Sequence, residues 1–249
     1  MMDTALPPRK RSSDEAFFQV DEKSDEFPHV DVIFCGEGIL ALNKPFDLRL
    51  DGDFSVTLEK IVRDFERTEE KMVRLDRLIR DERTEDVMLP IYMLKTRFVN
   101  QIDFATSGLI FMGLCKKSAG RLSRCFQDRS IEKWYVAVGR DSGKFEFGKS
   151  IVIRNRIDSV EGDFRMCISP EGKEAVTVAL PLTNCGLGVL WLLKLETGRR
   201  HQLRLHLREV GSPIVGDATY GCDDATYCKR MLLHSYRCLL YTSPSPRDS

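Results

Sequence analysis

The chain has 249 residues, of which 42% are hydrophobic and 31% are charged, and its formal net charge is zero. This length and composition allow one large domain with a sizeable buried core. No apolar run approaches the ~20 residues of a membrane-spanning helix, and the first residues lack the apolar core of a secretory signal. We expect an intracellular protein without a membrane partner, in the cytoplasm, the nucleus or an organelle.

The cysteines and histidines show no pattern typical of a disulfide framework or a metal site. Eight cysteines are spread along the chain without a Cys-x-x-Cys pair, which indicates reduced thiols. His201 and His206 are followed by Cys228, His234 and Cys238, but without zinc-like paired spacing or an acidic cluster. We therefore expect no metal and no cofactor. The sequence also lacks a P-loop and a Gly-x-Gly-x-x-Gly pattern, which argues against a general nucleotide-binding enzyme.

Charge is distributed unevenly along the chain. Residues 14 to 26 hold six acidic side chains against one lysine, whereas residues 93 to 140 hold nine lysines or arginines against three acidic side chains. Because phosphate binding needs a positive surface, the second region is the candidate for contact with nucleic acid. The alternative is that many of these charges form the solvated face of a helix over residues 116 to 129.

The composition predicts one domain between two irregular ends. Residues 1 to 27 are polar, charged and poor in aliphatic side chains, which is typical of disorder. Residues 28 to 240 form the predicted domain, interrupted over residues 66 to 86 by a charged helical insertion or mobile loop. Residues 241 to 249 are rich in serine and proline and differ abruptly from what precedes them, as expected of a truncated or artefactual end.

The predicted domain begins with a hairpin and a helix. Strands over residues 30 to 34 and 39 to 42 flank a Cys-Gly-Glu-Gly turn. Thr57 is the predicted cap of a helix whose apolar residues recur at i, i+3, i+4 and i+7. These residues are Leu58, Ile61, Val62 and Phe65.

Strands dominate the rest of the chain. An apolar lead-in over residues 91 to 99 and an apolar run over residues 109 to 114 predict two strands joined by a short polar loop. The later predicted elements are an amphipathic helix over residues 117 to 129, a strand over 131 to 138, a β-rich segment over 145 to 178 and a strand over 187 to 195.

Four arginines lie within ten residues of one another near the end of the predicted domain. Three leucines occupy every second position in the later half of this stretch. Such a stretch sends apolar side chains inward and cations towards a cleft, either as a strand or as the first turns of a helix. The arginines are Arg199, Arg200, Arg204 and Arg208, and the leucines are Leu203, Leu205 and Leu207.

The loop Asn-Gln-Ile-Asp-Phe-Ala-Thr-Ser-Gly, residues 100 to 108, carries the main candidate for chemistry. A reactive carboxylate is often placed on such a loop between strands, and Asp103 lies at its centre. Thr106, Ser107 and Gly108 supply two hydroxyls and a flexible backbone position that can hold the carboxylate in one rotamer. Spacing alone equally predicts an ordinary Asx turn in a hairpin.

This loop resembles the nucleophile motif of the RluA-type pseudouridine synthases, in which Arg-Leu-Asp is followed two residues later by Thr-Ser-Gly. The resemblance is closest to the eukaryotic members with Gln-hydrophobic-Asp, the RNA pseudouridylate synthase domain-containing proteins. Arg74-Leu75-Asp76 spells the same tripeptide but lacks Thr-Ser-Gly and lies in the charged span. Four further family motifs occur in order: Asn43-Lys44-Pro45, Lys133-Trp134-Tyr135, the stretch from Thr197 to His206, and Gly216-Asp217-Ala218-Thr219-Tyr220-Gly221.

The resemblance implies an α+β pseudouridine synthase fold, with a mixed, largely antiparallel sheet, flanking helices and a basic active-site cleft. It implies isomerisation of a uridine in structured RNA by a monomer, with Asp103 as the nucleophile. Tyr135 holds the uracil by stacking and helps to remove the C5 proton. Arg204 orients Asp103 and favours its ionised form.

Further residues of these motifs are expected to bind the substrate. The lysines and arginines among them are candidates for phosphate contact, and His201 and Gln202 are expected to brace the arginine motif by hydrogen bonding. The substrate-binding residues implied are Lys44, Asn100, Gln101, Thr106, Ser107, Gly108, Lys133, Arg199, Arg200, His201 and Gln202.

The chain departs from the family pattern at two places. Gln101 stands where an arginine of the family fills the space left by the flipped-out nucleotide, and residues 46 to 52 depart from the common glycine-rich version of this segment. A catalytically impaired RNA-binding protein on the same fold is therefore the alternative. The expected partner is a stem-loop of transfer, ribosomal or messenger RNA.

Overall fold

The computed structural model describes residues 28–36, 38–64, 96–221 and 228–240. Three helices and ten strands lie in these ranges. The helices are α1 (Leu58–Asp64), α2 (Lys116–Gln127) and α3 (Gln202–Glu209). The strands are β1 (Asp31–Gly36), β2 (Ile39–Lys44), β3 (Arg97–Phe98), β4 (Ser107–Gly113), β5 (Ile131–Gly139), β6 (Ile151–Ser159), β7 (Met166–Ile168), β8 (Lys173–Asn184), β9 (Val189–Leu195) and β10 (Leu233–Leu240).

One sheet contains all of these strands, in the order β1-β2-β4-β10-β5-β9-β8-β6-β7, with β3 paired to β4. Among the described pairings only β4 with β10 is parallel, and the others are antiparallel. Helix α2 packs on β4, and α3 packs on β6, β7 and β8. The predicted α+β fold with a mixed, largely antiparallel sheet is confirmed. In the described ranges no helix has the length and apolar content needed to cross a bilayer.

Most predicted elements lie within a few residues of the observed ones. The hairpin is confirmed by β1 and β2, the helix after Thr57 by α1, and the strand over residues 131 to 138 by β5. The strand predicted to begin at residue 109 begins at Ser107, because Ser107 and Gly108 pair with the first residues of β10. The Thr-Ser-Gly segment is therefore part loop and part strand.

The hydrophobic core forms on both sides of the parallel seam between β4 and β10. One cluster joins β2 and β4 to α1, whose Leu58, Ile61 and Val62 are at most 2% exposed. Burying each such side chain stabilises the fold by about 1.5–3 kcal/mol. A second cluster joins β5 and β9 to α3. The two clusters hold the loop before β4 and the start of α3 in place.

The arginine stretch forms a helix, which was one of the two predicted alternatives. Leu203 and Leu207 pack into the cluster with β5 and β9, whereas Leu205 packs against β6 and β8. Residues i and i+4 share a helix face, so the alternating leucines separate into two clusters. Arg204 lies on the same helix as these leucines and is only 7% exposed. Arg208, near the end of the helix, is exposed.

Some predictions fall outside the described residues. They are the disordered segment 1 to 27, the charged insertion 66 to 86 with Arg74-Leu75-Asp76, the first part of the lead-in over residues 91 to 94, Phe65 of the predicted helix, and the tail 241 to 249.

Candidate active site

Asp103 lies in the loop between β3 and β4. The loop is anchored by Ile102, which is 8% exposed and belongs to the core cluster of α1 and β4. The backbone N–H of Thr106 donates to the Asp103 carbonyl oxygen at 3.1 Å. The Asp103 side chain is 22% exposed. The carboxylate is therefore reachable from outside while its backbone is held in one shape.

Arg204, on α3, connects two carboxylates. Its Nε and Nη2 donate to Oδ2 and Oδ1 of Asp217 at 2.8 and 2.7 Å, a two-point geometry that fixes the plane of the guanidinium. Its Nη1 donates to Oδ2 of Asp103 at 3.3 Å. Because the short bonds are those to Asp217, Asp217 sets the position of Arg204, and Arg204 presents its remaining amino group to Asp103.

Asp217 is a buried carboxylate whose charge is fully compensated. Its side chain is 1% exposed, and burial alone would raise its pKa. The hydrogen bonds and charge of Arg204, followed by the backbone N–H groups of Thr219 and Tyr220, hold the pKa below its usual value. These N–H groups donate to Oδ1 at 2.9 and 3.1 Å. With its lone pairs satisfied, the buried pair remains charged.

Tyr220 packs against the guanidinium of Arg204, and His201 contacts Tyr220. The Arg204 guanidinium carbon lies 4.8 Å from the centroid of the Tyr220 ring, within the range of a cation–π contact. The Tyr220 hydroxyl accepts from the Met166 N–H at 2.7 Å and lies 2.6 Å from Nδ1 of His201. Burial lowers the pKa of His201, so a neutral imidazole can accept from this hydroxyl. His201 has a φ of 56°, and this strained backbone directly precedes α3.

Gln202 ties the start of α3 to β8. Its Oε1 accepts from the Thr197 hydroxyl at 2.8 Å and from the Arg199 N–H at 2.9 Å. Its Nε2 donates to the Val176 carbonyl and the Thr177 hydroxyl, both at 2.9 Å. Because Gln202 is 2% exposed and its amide is fully used, it braces the arginine motif and has no group left to bind substrate directly.

Tyr135 lies inside the sheet and not on an open face. Its side chain is 7% exposed and packs with Leu203 and Leu233 in the core. Burial raises the pKa of Tyr135 well above its usual value, although a hydrogen bond with Ser235 acts in the opposite direction. The phenol is therefore neutral at physiological pH. Only a small part of the ring is open to a base, and stacking of Tyr135 on the uracil stays a prediction.

Lys44, which was expected to contact phosphate, is buried and bonded to the backbone in this structure. The side chain is 0% exposed, and Nζ donates to the carbonyl oxygens of Pro45, Leu48 and Phe104 at 2.8, 3.0 and 2.9 Å. Burial lowers the pKa of Lys44 to about 7, against the opposing effect of Asp47 and Asp103. Lys44 instead ties the segment after β2 to the loop that carries Asp103.

The Thr-Ser-Gly segment connects the Asp103 loop to β10. The Ser107 hydroxyl lies 2.9 Å from Nδ1 of His234 and accepts from Nη2 of Arg230 at 3.0 Å. Gly108 has a φ of 108°, and a Cβ there would collide with the backbone of β10. Thr106 is 1% exposed, and its hydroxyl has no hydrogen-bond partner within the described residues. These buried residues support the loop, and their contact with substrate stays a prediction.

Asn100 and Gln101 differ although they are adjacent. Oδ1 of Asn100 accepts from the Phe111 N–H on β4 at 2.8 Å, so Asn100 fixes the loop to the sheet. Gln101 is exposed. Of the two, Gln101 has the more open side chain.

The remaining three cations lie around the loop that precedes α3. Lys133 is half-buried, and burial lowers its pKa. Its Nζ lies close to Gly198, 3.1 Å from the position that a Cβ on that glycine would take. Nε of Arg199 donates to the Glu174 carbonyl oxygen at 3.0 Å. Arg200 is exposed, so it has the greatest freedom of the three to contact a phosphate.

No role was predicted for Asp217, Tyr220 or Arg230 from the sequence. Asp217 and Tyr220 belong to the motif of residues 216 to 221. The signal for Asp217 was its place as an acidic residue shortly after an arginine-rich stretch, which is typical of an ion pair. Arg230 lies outside every motif that was recognised. Its contact with Ser107 joins segments 123 residues apart in sequence, so no local pattern could have indicated it.

Comparison with protein families identifies the fold on independent grounds. The family model described as RNA pseudouridylate synthase matches residues 40–209. This range contains Asp103, Tyr135 and Arg204 but ends before Asp217.

Individual relatives carry related names. RNA pseudouridylate synthase domain-containing protein 1 of Homo sapiens is 32% identical over 231 residues, covering 84% of this chain and 65% of that protein. The Bos taurus protein of the same name is 31% identical over 229 residues, covering 85% and 68%. An uncharacterized RNA pseudouridine synthase of Haemophilus influenzae is 33% identical over 139 residues, covering 55% and 60%. The chain thus spans about half to two thirds of the length of the curated relatives it matches.

Solved structures agree with these sequence matches. The structure of human RNA Pseudouridylate Synthase Domain Containing 1 superimposes with a TM-score of 0.60 at 28% identity, covering 88% of this chain and 84% of that one. Human RNA Pseudouridylate Synthase Domain Containing 4 gives the same TM-score at 20% identity, covering 84% and 83%, and shares the fold. The chain belongs to the RNA pseudouridylate synthase family, whose members are RNA-modifying isomerases.

Proposed function

We propose that this protein converts a uridine of a structured RNA into pseudouridine, with Asp103 as the nucleophile. The reaction breaks the bond between ribose C1′ and uracil N1, turns the base, joins C1′ to C5 and releases the C5 proton. N1 gains a proton as C5 loses one, so that all atoms are conserved and no oxidant or reductant is required. Uridine isomerisation in RNA is the activity of the family to which the chain belongs.

The observation that carries the proposal is the chain of contacts from Asp217 through Arg204 to Asp103. A carboxylate that forms a covalent intermediate must be charged, oriented and accessible. The 3.3 Å contact with Arg204 supplies an orienting charge, and the 22% exposure of the side chain supplies access. The 2.7 Å pair between Arg204 and Asp217 keeps this arrangement in place before RNA binds.

The surrounding residues suit a flipped-out nucleotide. The target uridine must leave its stack to bring C1′ and N1 to Asp103. Tyr135 then meets the base only through the small exposed part of its side chain. Because its phenol stays neutral, it takes part in removal of the C5 proton only as a relay, which accepts one proton as it gives up its own. Arg200, which is exposed, is the candidate for contact with the phosphate backbone.

The alternative function is RNA binding without catalysis. Gln101 is exposed and uncharged, so the segment before Asp103 provides no cation to fill the space of a flipped-out base. The intact contact between Arg204 and Asp103 favours the enzyme, because RNA binding alone does not require an oriented, partly exposed carboxylate.

Release of tritium from RNA labelled at C5 of uridine tests the proposal. The substrate is total RNA from cells that lack the protein, and wild type is compared with Asp103→Asn. Arg154→Gln is the matched control, since Arg154 is exposed on β6. We expect release by wild type and Arg154→Gln, and no release by Asp103→Asn.

RNA binding is measured on the same three proteins by gel shift. Equal binding by wild type and Asp103→Asn, with release by wild type alone, supports the nucleophile. Binding without release by any of them contradicts the enzyme and supports the alternative. Equal tritium release by wild type and Asp103→Asn would show that the protein catalyses the reaction but that Asp103 is not the nucleophile.

A further inference from the structure

Three side chains form a stack immediately beside the candidate nucleophile. The guanidinium carbon of Arg49 lies 4.0 Å from the centroid of the Phe54 ring and 5.1 Å from that of the Phe104 ring. Phe104 directly follows Asp103 in the chain. Both phenylalanines are unusually open for large apolar residues, at 45% and 42% exposed, and Arg49 is also exposed.

The backbone that carries this stack is anchored, although the side chains are open. The Arg49 carbonyl oxygen accepts from the N–H of Leu58, at the start of α1, at 2.8 Å. Lys60 of the same helix donates to the Phe54 carbonyl oxygen. The Phe104 carbonyl oxygen accepts from the buried Lys44 at 2.9 Å. The segment from Arg49 to Phe54 is thus anchored to α1, and the Phe104 backbone is anchored to β2. These contacts fix the positions of the two rings before any ligand binds.

Exposed aromatic rings interleaved with a guanidinium match the chemistry of nucleobase recognition. Bases stack on aromatic faces and on guanidinium planes, and such stacking tolerates different base identities. The arginine also carries a positive charge, whereas residues 99 to 107 contain Asp103 as their only charged residue. Arg49 therefore places an exposed cation beside a loop that has none of its own.

We propose that Phe104, Arg49 and Phe54 form a base-stacking subsite, which takes a nucleobase adjacent to the target uridine in the RNA. The inference rests on the proposed function, because it assumes that the RNA approaches Asp103. It adds a place for a second nucleotide, which is held by stacking and not by base-specific hydrogen bonds.

Photo-crosslinking tests the subsite without requiring turnover. The probe is a pool of hairpin RNAs with randomised loops, transcribed with 5-iodouridine, and the protein is Asp103→Asn. Irradiation joins an iodouracil to an aromatic ring that it contacts, and mass spectrometry of the digested protein identifies the residue. We expect crosslinks at Phe104 or Phe54. Crosslinks confined to other residues would overturn the subsite.

Substitutions separate stacking from charge. Arg49→Lys keeps the charge but loses the planar group, Arg49→Ala loses both, and Phe104→Leu keeps an apolar side chain without a ring. We expect Arg49→Ala and Phe104→Leu each to weaken hairpin binding by about 5- to 100-fold, with Arg49→Lys between wild type and Arg49→Ala. Arg154→Ala removes an exposed charge of β6 and should stay within about 2-fold of wild type.

The outcomes distinguish this subsite from the proposed activity. Crosslinks at Phe104 or Phe54 together with an absence of tritium release by wild type would support the subsite and reject the isomerase. Tritium release by wild type with unchanged RNA binding in Arg49→Ala and Phe104→Leu would reject the subsite and support the isomerase. Weaker binding in Arg49→Ala but not in Arg49→Lys or Phe104→Leu would reject stacking in favour of a simple charge contact.

Discussion

The guanidinium of Arg204 is fixed by Asp217 through two hydrogen bonds of 2.8 and 2.7 Å. Asp103 receives only one bond from the same group, at 3.3 Å. The better-bound carboxylate is therefore the one with no access to solvent, since its side chain is 1% exposed. Asp217 determines where Arg204 lies, and the candidate nucleophile depends on a residue that substrate does not reach.

Asp217→Asn tests this dependence. An amide cannot compensate the charge of Arg204, so we expect the free energy of unfolding to fall by about 3–5 kcal/mol. Misplacement of Arg204 should lower turnover by about 100-fold, while RNA binding changes much less. Urea unfolding and tritium release measure the two effects. Asp163→Asn breaks an exposed pair with Arg165 and should leave turnover unchanged. Equal turnover in both variants would contradict the role of Asp217.

Tyr220→Phe separates the hydroxyl of this residue from its ring. The ring contact with Arg204 remains, but the Met166 N–H and Nδ1 of His201 lose a partner at 2.7 and 2.6 Å. Leaving a buried donor unsatisfied costs about 1–3 kcal/mol. We expect a loss of that size in urea unfolding. The exposed Tyr236→Phe is the matched control, and an equal loss there would show that the hydroxyl bonds contribute nothing.

His206 should make folding sensitive to acid. It is 0% exposed, its Nδ1 lies 2.9 Å from the Thr177 hydroxyl, and burial lowers its pKa from 6.5 to about 4. Between these two values the unfolded chain binds more protons than the folded chain. Stability therefore falls as the pH decreases through this window, by up to ~1.4 kcal/mol per pH unit from this residue.

Urea unfolding of wild type and His206→Asn at several pH values between 4 and 7 measures that contribution. We expect His206→Asn to be less stable at neutral pH but to lose less stability on acidification, because asparagine does not titrate. His201 and His234 also have pKa values lowered by burial, so a residual slope is expected in the variant. Parallel curves for the two proteins would contradict the prediction.

Two glycines should respond in opposite directions to the same substitution. Gly108→Ala forces a Cβ into the Ser235 backbone at a φ of 108°, which breaks the parallel seam between β4 and β10. We expect loss of cooperative folding. Gly120 lies in α2 with no atom of the described structure within 4 Å of a built Cβ, so Gly120→Ala should stabilise by up to ~1 kcal/mol. Thermal unfolding followed by circular dichroism checks both, and a folded Gly108→Ala would refute the close approach.

The salt dependence of RNA binding distinguishes an exposed cation from a buried one. Each phosphate contact contributes about 0.7–0.9 to the slope of log affinity against log salt concentration. We expect Arg200→Gln to reduce the slope by about that amount and Lys44→Met to leave it unchanged, because the ammonium of Lys44 is enclosed by three carbonyl oxygens. A reduced slope in Lys44→Met would restore Lys44 as a phosphate contact.

The sequence predicted the strand and helix pattern well, because apolar periodicity reports directly on which face of an element is buried. Leu58, Ile61 and Val62 are buried at the predicted helical spacing. The pairing of Arg204 with Asp103 was expected from resemblance, and the structure places them in contact. These two residues are 101 apart in sequence, so periodicity alone would not have brought them together.

What the sequence did not indicate is the burial of certain charged and aromatic residues. Lys44 and Tyr135 belong to types that are usually at least partly exposed, so the sequence favoured their contact with substrate. Each is buried by tertiary packing that no local pattern contains. The stack of Arg49 on Phe54 and Phe104 was missed for a similar reason, because it joins a segment after β2 to the loop before β4.

The position of β10 has a consequence for synthesis of the protein. In the described pairings, β1 to β4 connect to β5 to β9 only through β10, which lies between β4 and β5. On the ribosome the two groups of strands therefore emerge first and share no backbone ladder until residues 233 to 240 leave the exit tunnel. In a nascent chain stalled before that point, the Asp103 loop next to β4 and helix α3 with Arg204 belong to two groups of elements that no backbone ladder joins, so assembly of the candidate site is a late event of translation.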